Sequence, residues 1–221
     1  MATNLDQQIT TPAPPNLGAP SDKYDERFFG QSFGALNAYF IKLTNLLSAL
    51  FGPRGGKWLN APYGAFQDNT DQTAANTTTA YAVTFDTTDF SNGITLSNSS
   101  RLNVSQDGIY NLQFSIQFKN TTNDTQDVDV WIRKNGTNID KSNSRFGLSA
   151  RKSSGDPSHL IAALNFFTKL MANDYVEIMW RPSDVGVSME HYATSTTPDR
   201  PAVPSVIATM SFVSNLSQET A

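Results

Sequence analysis

Between residues 109 and 119 apolar and polar side chains alternate without a break. Tyr110, Leu112, Phe114, Ile116 and Phe118 point one way, and Asn111, Gln113, Ser115, Gln117 and Lys119 point the other. A period of two belongs to a strand, because successive side chains leave opposite faces. Alternation over this length predicts one face in a core and one in water, the pattern of an antiparallel sheet. The centre of the chain is therefore read as β, and the surrounding segments are read against it.

They repeat the signal. Tyr81, Val83 and Phe85 alternate with Ala80, Ala82 and Thr84, and Gly93-Ile94-Thr95-Leu96 reads as a short strand. Val128, Val130 and Ile132 alternate with Asp127, Asp129, Trp131 and Arg133, and Asn135-Gly136 follows as a hairpin turn that tolerates positive φ. Segments 159–170 and 175–180 come next, the latter with Val176, Ile178 and Trp180 on one face. Val185, Val187 and Met189 predict a further strand, and Val206, Ala208, Met210 and Phe212 predict the last one, placed centrally in its sheet. Closely spaced strands with no helical pattern between them predict an antiparallel β-sandwich over residues 63–214, followed by a short tail at 215–221. Its expected core is Phe85, Tyr110, Leu112, Phe114, Ile116, Phe118, Val176, Ile178, Trp180 and Phe212, and its outer faces are expected to be neutral and polar.

Upstream the period changes. Phe29, Phe33, Leu36, Phe40, Leu43, Leu47 and Leu50 are spaced alternately four and three apart, a heptad seam that predicts a helix over 26–52. Asp25 and Glu26 suit its start by charge, and Gly52-Pro53 stops it. Ile41 and Leu46 widen the apolar surface beyond the seam. Such a helix must meet copies of itself, its own head or a partner. Residues 1–25 carry Pro12, Pro14, Pro15 and Pro20 and read as an extended arm, either a free terminus or a peptide that orders on a partner. Residues 53–62, with paired glycines and two prolines, read as a linker.

Two segments bring a family into view. Gly108, Tyr110, Leu112 and Phe114, within residues 101–118, resemble the Gly-x-Tyr-x-Phe/Leu-x-Phe strand of the complement globular-head and tumour-necrosis-factor jelly rolls. Leu170-Met171-Ala172-Asn173-Asp174-Tyr175-Val176 resembles the Leu-x-x-Gly-Asp-x-Val turn of that family, with Asn173 in place of glycine. The segments from Trp131 to Thr137 and from Tyr175 to Trp180 are similar to stretches of structural proteins of tailed phages, cyanophages especially. The resemblance implies a jelly-roll head that assembles as a homotrimer, preceded by a polar arm and a short helix.

Little chemistry is indicated. There are no cysteines, which excludes disulfides, thiol catalysis, zinc fingers and iron–sulfur ligation through thiolates. The net charge of −4 with scattered Lys and Arg offers no footprint for nucleic acid, and no apolar run reaches membrane-spanning length. The opening MATNLDQQITTPAPP lacks the basic and apolar regions of a signal peptide, so synthesis in a cytosol is expected. His159 and His191 read as surface histidines, and no nucleophile turn accompanies them. Asp127 and Asp129 read as solubilising charges on one solvent face. Asp68-Asn69-Thr70-Asp71 and Asn123-Asp124 offer oxygen ligands without the spacing of a calcium loop. Trp131 could stack on a sugar ring or lie at a subunit interface.

The expected function is therefore non-enzymatic and needs no metal or cofactor: a trimeric knob or fibre at the surface of a tailed-phage capsid or tail. Its expected partners are itself and another virion protein held through residues 1–51. The alternative is a head that binds a host-surface glycan or protein, and a secreted cytokine- or complement-type ligand is the third reading.

Overall fold

The computed structural model describes residues 12–17, 23, 25–51 and 61–216. The chain divides into two units, residues 1–60 and 61–221. Most of the expected arm, residues 52–60 of the linker, residues 217–221 of the tail and the side chain of Leu50 lie outside the described residues.

In the first unit, helix α1 runs Glu26–Phe51, as the heptad spacing predicted. Asp25 caps it: its Oδ1 accepts the backbone N–H of Arg27 at 2.9 Å, satisfying a donor that the first helical turn leaves open. The seam lies largely bare. Phe33 is 67% and Phe40 57% exposed, Phe29 and Leu47 are exposed as well, and Leu36 and Leu43 are half-buried. Residues 12–17 have no regular secondary structure, and Asn16 and Leu17 border a groove against Phe28, Ser32 and Ala35. Those positions form a helix face next to the seam.

In the second unit the strands in chain order are β1 (Tyr63–Asp68), β2 (Gln72–Thr73), β3 (Tyr81–Ala82), β4 (Thr87–Asn92), β5 (Ile94–Ser97), β6 (Arg101–Val104), β7 (Gly108–Asn120) and β8 (Gln126–Lys134). They continue with β9 (Thr137–Asn138), β10 (Ser144–Leu148), β11 (Ser158–Leu170), β12 (Tyr175–Pro182), β13 (Val187–Met189), β14 (Ser195–Thr196), β15 (Asp199–Arg200) and β16 (Val206–Ser214). One sheet runs β2-β13-β7-β16-β1-β4, with β11 on the other edge of β7. The second runs β10-β8-β12-β6-β5, with β3 beside β12 and β9 beside β8. The pairings within both sheets are antiparallel. The last strand sits between β7 and β1, centrally, where its apolar content is protected.

The alternation predicted the core face correctly. Tyr110, Leu112, Ile116, Phe118, Phe85, Val176, Ile178 and Trp180 are all buried, and so is Phe114, within one cluster that spans both sheets. Phe212 is only partly buried. It closes the rim of the core, with its ring 5.8 Å from that of Tyr110. Its ring also explains Gly108, since a Cβ at that position would run into it. The two turns behave as their residues demand: Asn135 and Gly136 adopt φ of 48° and 81°, and Asn173 adopts 71°.

Three sequence expectations are corrected. The strand expected around 80–85 shrinks to Tyr81–Ala82, because Val83 and Phe85 enter the core from a loop whose N–H groups bond to Ile178 and Ser99 carbonyls. Val185 is exposed in a turn, and its strand begins only at Val187. The outer face of the first sheet is less polar than expected. β7 itself contributes Asn111, Gln113, Ser115 and Gln117, but its neighbours bring exposed Ile161, Phe167 and Ile207 to the same face, in register with Gln117, Asn111 and Ser115.

Candidate functional site

The outer face of the second sheet carries an open groove of about 700 Å³. Strand β8 supplies its floor. Val128, Val130 and Ile132 turn inward, so Asp129 and Trp131 necessarily turn outward. Arg145 of β10 and Arg181 of β12 flank Asp129 in direct register from either side. Thr78 and Ala80, ahead of β3, form one wall, and Asn138, Ile139, Lys141 and Asn143, between β8 and β10, form the other.

Asp129 organises the floor. It is buried, whereas the guanidinium-bearing side chains of Arg145 and Arg181 remain 61% and 46% exposed. Arg145 donates Nε–H to Asp129 Oδ1 at 2.9 Å and Nη2–H to Oδ2 at 3.2 Å, and Arg181 donates Nη2–H to Oδ2 at 3.3 Å. The Arg145 hydrogen bonds hold the Asp129 carboxyl below its ordinary value of 3.8. They outweigh the opposing effect of burial and are helped by the positive charges of Arg145 and Arg181 and by Asn143. This corrects the reading of Asp127 and Asp129 as two solubilising charges: Asp127 is exposed, but Asp129 braces two cationic side chains.

The wall is equally fixed. Asn138 Oδ1 accepts the indole Nε1–H of Trp131 at 2.8 Å and the Nε–H of Arg133 at 3.3 Å, which sets the tilt of the Trp131 ring. Buried Ser142 accepts the N–H of Ile132 at 3.1 Å and donates to the carbonyl of Ile139 at 2.8 Å, pinning the loop to β8. Lys141 takes a positive φ of 59° to complete the turn. The sequence points to Trp131 and Asp129 but not to Arg145, Arg181, Asn138 or Asn143. No local signal links residues 16 and 52 positions from Asp129, because only strand pairing brings them together.

The two histidines form part of a second cluster, beside the far end of β7. Lys119 Nζ lies 2.9 Å from Glu190 Oε1 and 3.5 Å from Asp71 Oδ2. His191 Nδ1 sits 2.9 Å from Asp71 Oδ1, His159 Nδ1 lies 3.5 Å from Glu190 Oε2, and the Tyr192 hydroxyl donates to Glu190 Oε2 at 2.5 Å. Burial would raise the Asp71 carboxyl, but hydrogen bonds from His191 and the charge of Lys119 bring it below its ordinary value. Burial likewise opposes the Lys119 charge, and the Glu190 carboxylate overrides it upward. Burial and the Glu190 bond push Tyr192 up to about 12. Each of these three shifts favours the form that Asp71, Lys119 and Tyr192 already have at neutral pH, as expected of groups that tie strands together through ion pairs and hydrogen bonds.

The oxygen-rich segments are also spent internally. Asp68 Oδ1 accepts from the backbone N–H and hydroxyl of Thr70, and Asn123 Oδ1 accepts from Arg151 at 2.7 Å. Among the described residues, no group of three or more His, Asp and Glu side chains is placed to hold a metal, and no helix is long and apolar enough to cross a membrane. No protein-family model matches the chain, and no curated protein matches its sequence.

The buried carboxylate has a measurable pH signature. Its folded pKa lies below the ordinary 3.8, so its contribution to stability is complete above that value and is lost as pH falls through the lower folded pKa. Urea midpoints measured from pH 6 down to pH 2 are expected to fall more steeply below about pH 4 in the native chain than in Asp129→Asn. Parallel acid limbs in the two proteins would show that Asp129 is not held ionised by Arg145 and Arg181.

Proposed function

We propose that the chain is a non-enzymatic structural protein of a virus particle: a homotrimeric jelly-roll head with a helical stem, forming a knob or fibre on a tailed-phage capsid or tail. The observation that carries this reading is the bare seam of α1, where Phe33 and Phe40 are each more than half exposed. An apolar stripe of heptad spacing is stabilised when it meets copies of itself, and Phe at its core positions favours a wider core than a dimer offers. The strand order of the head supports the jelly-roll reading, with the last strand between β7 and β1 and with β11 at the edge of the same sheet. Ile161, Phe167 and Ile207 on that sheet's outer face give a second apolar surface for self-association. The phage assignment rests on the likeness of residues 131–137 and 175–180 to tailed-phage structural proteins.

Assembly and adhesion need no turnover. Light scattering on the purified full-length chain at micromolar concentration is expected to give the mass of three protomers, about three times 24.2 kDa. A clean monomer would overturn the assembly. A head that binds host-surface glycan is the second reading, and the groove around Trp131 favours it.

A further inference from the structure

We propose that the groove over β8, β10 and β12 is a saccharide-binding site selective for sugars that carry an acidic group. This inference rests on the host-recognition reading of the head, and it specifies the place and the ligand chemistry. A saccharide presents a flat patch of C–H bonds on one side and a fringe of hydroxyls on the other. The matching surface needs an aromatic platform bordered by fixed polar groups. Trp131 supplies the platform, and Asn138 fixes its orientation through the indole N–H, so little freedom remains to be lost on binding. Asn138 and Asn143, both exposed, border it as amide donors and acceptors.

The charge pattern narrows the sugar. Asp129 is buried under Arg145 and Arg181 with both oxygens accepting from them, while the two guanidinium-bearing side chains stay about half exposed. A carboxylate placed this way presents two arginines outward in a set geometry, which suits bidentate recognition of a carboxylate or sulfate. Among the charged residues that line the groove, Lys141, Arg145 and Arg181 outnumber Asp129 and Asp140 by one positive charge (three minus two). A mixed groove of this kind also fits a sugar better than a nucleic-acid strand, which needs a continuous basic track.

The site is compatible with the proposed trimer. The exposed apolar residues Ile161, Phe167 and Ile207 lie on the outer face of the first sheet, and the groove opens on the outer face of the second. One face of the sandwich is thus available for self-association and the other for ligand.

The test uses the full-length chain on an array of neutral, carboxylated and sulfated oligosaccharides, followed by calorimetric titration with the strongest ligand. Binding is expected for acidic members and not for neutral ones of equal length. Trp131→Ala is expected to weaken it at least about tenfold, the scale of one lost stacking platform. Trp131→Phe should restore most of it, and Arg181→Gln should weaken acidic ligands while abolishing the preference over neutral ones. Absence of acidic ligands from the array overturns the inference, as do equal binding of neutral and acidic sugars and full affinity in Trp131→Ala. Light scattering on the same samples keeps the two readings apart: lost sugar binding in an intact trimer bears on the groove alone, and a monomer bears on the assembly alone.

Discussion

Replacing Phe114 by Ala is expected to destabilise the head by about 3–5 kcal/mol, the range for a buried aromatic removed from a packed core. Phe114 is buried in the middle of β7, opposite Leu164 of β11 on one side and Ala208 of β16 on the other. Ala208 is too small to collapse into the space, and both flanking strands are tied to β7 by long runs of backbone hydrogen bonds, so the cavity would persist. Chemical denaturation at one fixed protomer concentration measures the loss, since self-association would otherwise shift the apparent stability. A change under about 1 kcal/mol would place Phe114 on the solvent side of the sheet, which a one-residue slip in register produces.

If the proposed virion role holds, deleting residues 1–51 is expected to leave a folded, soluble head that no longer enters virus particles. The head unit begins at Ala61 and carries its own core from both sheets, which is the basis for expecting it to fold by itself. The anchoring role proposed for the deleted part follows from its chemistry. Helix α1 exposes Ile41 in addition to the seam phenylalanines, more apolar surface than a self-paired stripe accounts for. The proline-bearing residues 12–17 have no regular secondary structure of their own and are suited to ordering on another protein. Particles assembled with the truncated chain, probed by mass spectrometry, should lack it. Normal incorporation would make the head the anchor and reduce residues 1–51 to a stem for self-association.

Local patterns predicted much of this architecture. Apolar alternation from Tyr110 to Phe118 identified the strand, its core-facing side and the burial of each residue on it, because a strand's two faces are set by its covalent geometry. The four-and-three spacing from Phe29 to Leu47 predicted the helix to the residue at its start, and Asn135-Gly136 and Asn173 predicted backbone turns that demand positive φ. These are properties of a residue and its near neighbours in the chain, and a single sequence contains them in full.

Strand pairing decided the rest. Asp129 reads as a surface charge until β10 and β12 set Arg145 and Arg181 on either side of it, and nothing near residue 129 announces partners at 145 and 181. His159 and His191 read as unrelated until β11 and the segment after β13 bring both to the Lys119, Asp71 and Glu190 cluster. The polar alternation of β7 predicted a wetted face, and the neighbours β11 and β16 made that face partly apolar. Periodicity tells which side of a strand faces the core, because that depends on one strand alone. Which side chains meet across a sheet depends on register between segments far apart in the chain, and only the folded sandwich sets that register.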